Sequence, residues 1–109
     1  MTSQKLTKKP AIDRFALKTE LVNDMLYGRK TLGEIGRTLR SDGLQMSQTE
    51  VCQLTGLSRQ VVSDIENDTG NPRLASLRSY FKLLGLELAV LPRQRNELTQ
   101  LPQAPTGQK

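Results

Sequence analysis

The sequence has no histidine and no tryptophan, a single cysteine, and only two phenylalanines and two tyrosines among its 109 residues. Without histidine there is no Ser-His-Asp triad, no Cys-His pair and no imidazole ligand for zinc. The lone Cys52 has no partner for an internal disulfide, which favours a reducing compartment. We therefore expect a protein that is not an enzyme, with no catalytic residues, no metal and no other cofactor.

Long apolar segments are also missing. No apolar run approaches the ~20 residues that a helix needs to span a bilayer. The first ten residues are basic, but no apolar stretch follows them, so we do not expect a secretory signal peptide. These features predict a small soluble protein of the cytoplasm, without a membrane partner.

The composition that is present limits the fold and the partner. Hydrophobic residues make up 36% of the sequence and aromatic residues 4%, so the core must consist mainly of leucine, isoleucine and valine. A chain of this length supports one compact domain, with part of it left as arm or tail. Sixteen Lys and Arg against eleven Asp and Glu give a net charge of +5, which favours a polyanionic partner.

The first half of the chain predicts two helices after a polar, lysine-rich arm. Pro10 suits the first turn of the first helix, and Gly28 suits its end. The apolar positions of this helix are Ile12, Phe15, Ala16, Val22 and Met25 or Leu26. Thr31 and Glu34 form a capping-box pattern at the start of a second helix. The apolar face of that helix consists of Leu32, Ile35 and Leu39.

Two short helices joined by a turn are predicted between Ser47 and Asn67. Ser47 and Glu50 repeat the capping-box pattern, and Ser58 caps the second helix after Gly56. Such a pair is the minimal helix-turn-helix, which needs a small residue where the helices cross, a positive-φ residue in the turn, and apolar residues facing the core. The sequence supplies these at Cys52, Gly56, Leu57, Val62 and Ile65.

The segment after these helices contains one further helix and one candidate strand. Residues 74–84 are amphipathic and are closed by Gly85. Residues 86–91 then alternate for at least the first half of the segment, which Pro92 ends. A single strand in a helical chain has no internal partner, so we expect it to pair with a second copy across a two-fold axis. The alternative is that 86–91 extends the preceding helix or packs as coil. The residues expected at the dimer contact are Leu86, Leu88 and Val90.

Residues 31–85 resemble the lambda-repressor-like helix-turn-helix domain of the Xre/Cro class, from SQTEVCQLTGLSRQVVSDIEN through SYFKLLG. The continuation LGLELAVLP resembles the HipB-type antitoxins more narrowly. The resemblance implies an all-α fold of four to five helices with a short C-terminal β-strand that pairs across a homodimer. Two departures are a loop at 43–46 that is one residue longer than the common form and a longer segment at 10–28.

The resemblance also implies which residues meet DNA. Gln48, the first residue of its helix, would contact a phosphate. In the recognition helix, Arg59 would bind guanine and Gln60 adenine, each with about 1–3 kcal/mol of base discrimination. Outside a helix-turn-helix, both would be ordinary solvated residues. The remaining expected contacts to base or phosphate are Ser58, Ser63, Asn67, Arg73 and, with less support from the motif, Ser76.

For the other charged residues, the simpler expectation is an ion pair within the protein or exposure to solvent. Arg40 and Glu66 resemble a family ion pair between the first helix and the recognition helix, worth ~1 kcal/mol or less if partly exposed. Three lysines are expected to lie on an arm in solvent, and contact with phosphate or with the minor groove is the alternative. These are Lys5, Lys8 and Lys9.

The sequence thus predicts a repressor of palindromic operator DNA, associated with the nucleoid. The HipB resemblance implies the antitoxin of an autoregulated operon, with a HipA-like serine/threonine kinase toxin as its partner. The alternatives are a stand-alone Xre-family regulator and an adaptor whose main role is partner binding. The expected organisation is an arm with one helix at 1–30, the DNA-binding domain at 31–85, the dimerisation strand at 86–92 and a flexible tail at 93–109.

Overall fold

The computed structural model describes residues 13–100, and within them the fold is all-α, as predicted. A π-helical turn, Leu39–Gly43, continues directly from the second helix, and a short 3-10 helix, Arg95–Gln100, lies in the segment predicted to be a flexible tail. The five α-helices are α1 (Arg14–Leu26), α2 (Leu32–Thr38), α3 (Gln48–Thr55), α4 (Arg59–Glu66) and α5 (Leu74–Leu83).

The core draws buried side chains from every one of these helices. Tyr80 and Phe81 of α5 meet edge to face with ring centroids 5.0 Å apart, and both rings are buried. The aliphatic residues around them come from the other helices and from the end of α5. They are Leu21, Ile35, Leu39, Val51, Val62, Ile65 and Leu84.

Helix α1 begins later than predicted and turns a different face inward. Asp13 is its N-cap, accepting hydrogen bonds from the backbone N–H groups of Phe15 and Ala16. Pro10 and Ile12 lie outside the described residues. The prediction that Phe15 and Ala16 face the core is wrong, because both are exposed and Phe15 is 75% accessible. The inward row is the i, i+4 series Leu17, Leu21 and Met25, of which Met25 was among the predicted positions.

Helix α2 has the predicted capping box and packs very closely on the end of α4. Thr31 accepts a hydrogen bond from the Glu34 N–H, and Glu34 accepts one from the Thr31 N–H. Asp68, from the loop after α4, adds a second cap by accepting hydrogen bonds from the Thr31 hydroxyl at 2.6 Å and the Gly33 N–H at 2.9 Å. The absence of a side chain at Gly33 allows this approach, and its absence at Gly36 leaves room for the Tyr80 ring of α5.

The connection between α2 and α3 includes the π-helical turn, which is wider than an α-helical turn. The Leu44 N–H donates to the Leu39 carbonyl at 2.8 Å, five residues back, so this turn takes up one residue more than an α-helical turn. Gln45 then adopts a positive φ of 56° before α3 begins. The longer loop noted at 43–46 thus follows a locally widened helix end.

Residues 86–92 have no regular secondary structure, and no β-strand occurs between residues 13 and 100. The predicted strand is therefore not formed in the single chain. A strand is defined by backbone hydrogen bonds to a neighbour, and the rest of the described chain is helix and turn. Leu86 and Leu88 pack against their own core, whereas Val90 is 99% exposed.

No helix among residues 13–100 is long and apolar enough to cross a membrane. The predicted lysine-rich arm, with Lys5, Lys8 and Lys9, and the last nine residues lie outside the part of the chain that the structure describes.

Candidate nucleic-acid interface

Helices α3 and α4 form the predicted helix-turn-helix, with every local signal in place. Ser47 and Glu50 make both hydrogen bonds of the capping box at the start of α3. Gly56 ends α3 with a φ of +79°, and Ser58 caps α4 by accepting from the Val61 N–H at 3.1 Å. The turn therefore has a fixed geometry set by residues that the sequence singled out.

Apolar contacts hold the two helices together. Val51 and Val62, one from each helix, are fully buried in the same core cluster. Cys52 and Leu57 are half-buried and pack against the same cluster, as predicted. Because α3 and α4 share one core, the exposed residues at the start of α4 are displayed on a rigid element.

The exposed face of the motif carries most of the residues that the sequence predicted to contact DNA. Four of them are exposed at or near α4, and Gln48 and Ser63 are half-buried. Arg73 is exposed at the N-cap position of α5, where its side chain makes no capping hydrogen bond. Ser76 is half-buried on the same helix. The four exposed residues are Ser58, Arg59, Gln60 and Asn67.

Gln48 and Arg59 are joined directly across the motif. The Arg59 Nε donates to Gln48 Oε1 at 2.7 Å, and its Nη1 donates to the Thr49 hydroxyl at 3.3 Å. The guanidinium of the first residue of α4 is therefore held against the first turn of α3. Thr49 has this role without any signal in the sequence that would have singled it out.

The other polar residues of α4 are paired one turn apart. Gln60 Nε2 donates to Asp64 Oδ1 at 2.8 Å, and Asn67 Nδ2 donates to the Ser63 hydroxyl at 3.2 Å. Arg37 of α2 reaches the end of α4, where its Nη2 donates to the Glu66 carbonyl at 3.1 Å. The i, i+4 spacing of Gln60 and Asp64 was the available signal for that pair.

Glu66 lies at the centre of a buried polar network behind this face. Its side chain is 1% exposed and accepts two hydrogen bonds from Arg40, at 2.6 and 2.9 Å. It also accepts from the Tyr80 hydroxyl at 2.6 Å and from Gln48 Nε2 at 2.9 Å. Arg40 further donates to the Met46 carbonyl at 2.8 Å, so its guanidinium is also well satisfied.

The predicted ion pair between Arg40 and Glu66 is confirmed, and because it is buried, the strength expected of a partly exposed pair does not apply to it. The estimate of ~1 kcal/mol assumed a partly exposed pair. Here the carboxylate is buried and the Arg40 side chain is only 13% exposed. Breaking such a pair leaves an uncompensated buried charge, which typically costs about 3–5 kcal/mol.

The network changes the protonation equilibria of its members. Burial acts to raise the pKa of Glu66, but hydrogen bonds from Arg40, Tyr80 and Gln48 outweigh it, so the pKa lies below its ordinary value. Hydrogen bonding to Glu66 raises the pKa of Arg40. Burial, with hydrogen bonding to Glu66, raises the pKa of Tyr80 well above its ordinary value. Glu66 is thus ionised and Tyr80 is a neutral donor at physiological pH.

We expect the stabilising contribution of Glu66 to disappear in acid. A group whose pKa is lowered by folding contributes stability above its unfolded value, about 4.3 for glutamate, and loses it as pH falls through the folded value. Glu66→Gln should therefore be less stable than the wild type by about 3 kcal/mol at pH 7, with the gap closing below about pH 4. Urea denaturation from pH 7 to pH 3 measures this. A gap that stays constant or widens in acid contradicts the prediction.

Comparison with known proteins agrees with this geometry. Residues 42–91 match the HTH_3 helix-turn-helix family. The match covers α3, α4, α5 and residues 86–91, and it supports a helix-turn-helix domain in this part of the chain. Neither the comparison with curated proteins nor that with solved structures gave a match.

Proposed function

We propose that this chain, whose residues 42–91 match the HTH_3 helix-turn-helix family, is a repressor that binds operator DNA through direct readout by α4. One observation carries the proposal: Arg59 and Gln60 are exposed on the first turn of α4, and neighbouring side chains fix both of them. In a helix-turn-helix, residues at this end of the recognition helix contact base edges in the major groove.

The roles of the site residues follow from their chemistry. Arg59 retains Nη hydrogens for a bidentate contact to guanine, and the Gln60 amide suits adenine. Gln48 uses its Oε1 and one Nε2 hydrogen within the protein, and its second Nε2 hydrogen would bind a phosphate beside the positive end of α3. Backbone phosphates are also the expected partners of three hydroxyl or amide side chains and one guanidinium. These are Ser58, Ser63, Asn67 and Arg73.

A homodimer would complete the site. Val90 is almost fully exposed, and the neighbouring Leu86 and Leu88 already pack on their own core. Antiparallel pairing of residues 86–91 with a second copy would cover Val90 and satisfy the backbone of this segment. Two recognition helices about 34–36 Å apart would then read the two halves of a palindrome.

The test is a titration of the full chain against a duplex from its own upstream region and against a scrambled duplex, at two salt concentrations. We expect specific binding in dimer steps, and we expect Arg59→Ala with Gln60→Ala to weaken it at least about tenfold. Arg78→Ala, an exposed charge on α5, is the matched control and should keep specificity. Equal, steeply salt-dependent binding to both duplexes contradicts operator recognition. Unchanged affinity in the double variant favours the adaptor.

The narrower proposal is the antitoxin role. It rests on the resemblance of LGLELAVLP to HipB-type antitoxins, and it assigns a HipA-like serine/threonine kinase as the partner. Affinity purification from cells that carry the native operon should then recover a kinase with the protein. Recovery of operator DNA with no kinase identifies a stand-alone regulator instead.

A further inference from the structure

A continuous series of hydrogen bonds connects the buried Glu66 to the exposed start of α4. Gln48 Nε2 donates to Glu66 Oε1 at 2.9 Å, and Gln48 Oε1 accepts from Arg59 Nε at 2.7 Å. Gln48 therefore bridges the interior and the proposed base-reading side chain with the two ends of one amide group.

The carboxylate determines which way this amide points. An ionised carboxylate can only accept hydrogen bonds, so Gln48 must turn its NH₂ group toward Glu66. Its carbonyl oxygen then faces outward, where it is available to accept from Arg59. In Glu66→Gln only one acceptor oxygen remains, and the Arg40 guanidinium, which donates to both oxygens of the carboxylate, competes with Gln48 for it. The Gln48 amide could then rotate and present its NH₂ group, which repels the guanidinium, to Arg59.

The contacts made by Arg59 leave one edge of its guanidinium unused by the protein. Nε is engaged by Gln48 and one Nη1 hydrogen by Thr49. Both Nη2 hydrogens and the second Nη1 hydrogen remain, and this fork is the edge that contacts guanine O6 and N7. The series of hydrogen bonds therefore fixes the orientation of the guanidinium without occupying its reading edge.

We propose that Glu66 is a positioning residue for base recognition: through the Gln48 amide it orients Arg59 and so sets discrimination at the base pair that Arg59 reads. This inference rests on the proposed function. Glu66 lies in the interior and makes no direct contact with DNA in this scheme, so its effect is confined to one position of the operator.

The two oxygens of Glu66 provide a matched control. Oε1 accepts from Gln48, whereas Oε2 accepts from the Tyr80 hydroxyl. Tyr80→Phe removes a buried hydrogen bond from the same carboxylate but leaves the oxygen that Gln48 uses. It should lower stability, as Glu66→Gln does, without changing base preference.

The experiment first selects a duplex from a random pool with the full-length protein. Binding to every single-base variant of that duplex is then measured for the wild type, Glu66→Gln, Gln48→Met, Tyr80→Phe and Arg59→Ala. Glu66→Gln and Gln48→Met should lower discrimination about tenfold at the one base pair where Arg59→Ala lowers it. Tyr80→Phe should retain it. Gln48→Met keeps the buried ion pair, so it serves if Glu66→Gln does not fold.

Retained discrimination in Gln48→Met, or an equal loss at all positions, overturns the inference. If no duplex is selected at all, that result contradicts the proposed function itself. Nuclear magnetic resonance of the free protein separates the two cases. The Arg59 Nε–H signal should exchange slowly with water in the wild type and Tyr80→Phe, and rapidly in Gln48→Met and Glu66→Gln. A signal that is identical in the wild type and Gln48→Met overturns the inference without reference to DNA.

Discussion

Replacing Arg40 with leucine is expected to lower the free energy of unfolding by about 3–5 kcal/mol. The substitution leaves the buried carboxylate of Glu66 without a counter-charge, while Tyr80 and Gln48 can still donate hydrogen bonds. A small domain has a total stability of about 5–15 kcal/mol, so this loss removes a large part of it. Urea denaturation at pH 7, followed by circular dichroism, measures the change.

Arg29→Leu is the matched control, because Arg29 belongs to an ion pair that is much more exposed. Its side chain is 55% exposed and pairs with Asp24 at 2.9 Å. Exposed pairs of this kind contribute about 0–1 kcal/mol, so this variant should remain close to the wild type. Equal losses in the two variants would mean that burial of the Arg40–Glu66 pair does not determine its strength.

Gly33→Ala is expected to destabilise the protein by about 3 kcal/mol, although alanine is the better helix former by about 1 kcal/mol. A Cβ atom at this position would lie 2.5 Å from the Glu66 carbonyl oxygen and 2.7 Å from the Ile65 carbonyl oxygen. These are backbone atoms that cannot rotate away, so α2 must move off the end of α4. Overpacking therefore outweighs the gain in helix propensity. Thermal unfolding of the variant measures the loss.

Gly43→Ala provides the comparison for this substitution. Its Cβ would meet the nearest side-chain atoms at 3.5 and 3.6 Å, which is ordinary van der Waals contact. The change should leave stability the same or raise it by about 0.4–1 kcal/mol by restricting the unfolded chain. If both variants behave alike, close packing of α2 on α4 is not what requires glycine at position 33.

The features that the sequence predicted correctly are those encoded by neighbouring residues. The capping boxes at Thr31 and Ser47, the glycine turn at Gly56 and the cap at Ser58 each involve residues at most a few positions apart. Their hydrogen bonds form wherever the helix starts, so tertiary structure has little influence on them. This is why the bounds of α3 and α4 could be read closely from the sequence.

The features that the sequence did not reveal depend on distant residues. Tyr80 reaches Glu66 across 14 positions and Arg40 across 26, and no periodicity connects them. The resemblance indicated the ion pair, but neither its burial nor the added donors. The inward face of α1 was also assigned incorrectly, because Phe15 fits an apolar stripe as well as Leu21 does and only packing decides between them.

The bridging position of Gln48 has a consequence for the evolution and redesign of this domain. A recognition helix transplanted from another regulator would bring its own first residue to a site whose acceptors, Gln48 and Thr49, belong to the preceding helix. New base preferences should therefore transfer faithfully only when positions 48 and 49 are exchanged together with 59. Among natural relatives, we expect positions 48, 59 and 66 to change in concert, because hydrogen bonds join their side chains into one unit that extends beyond α4.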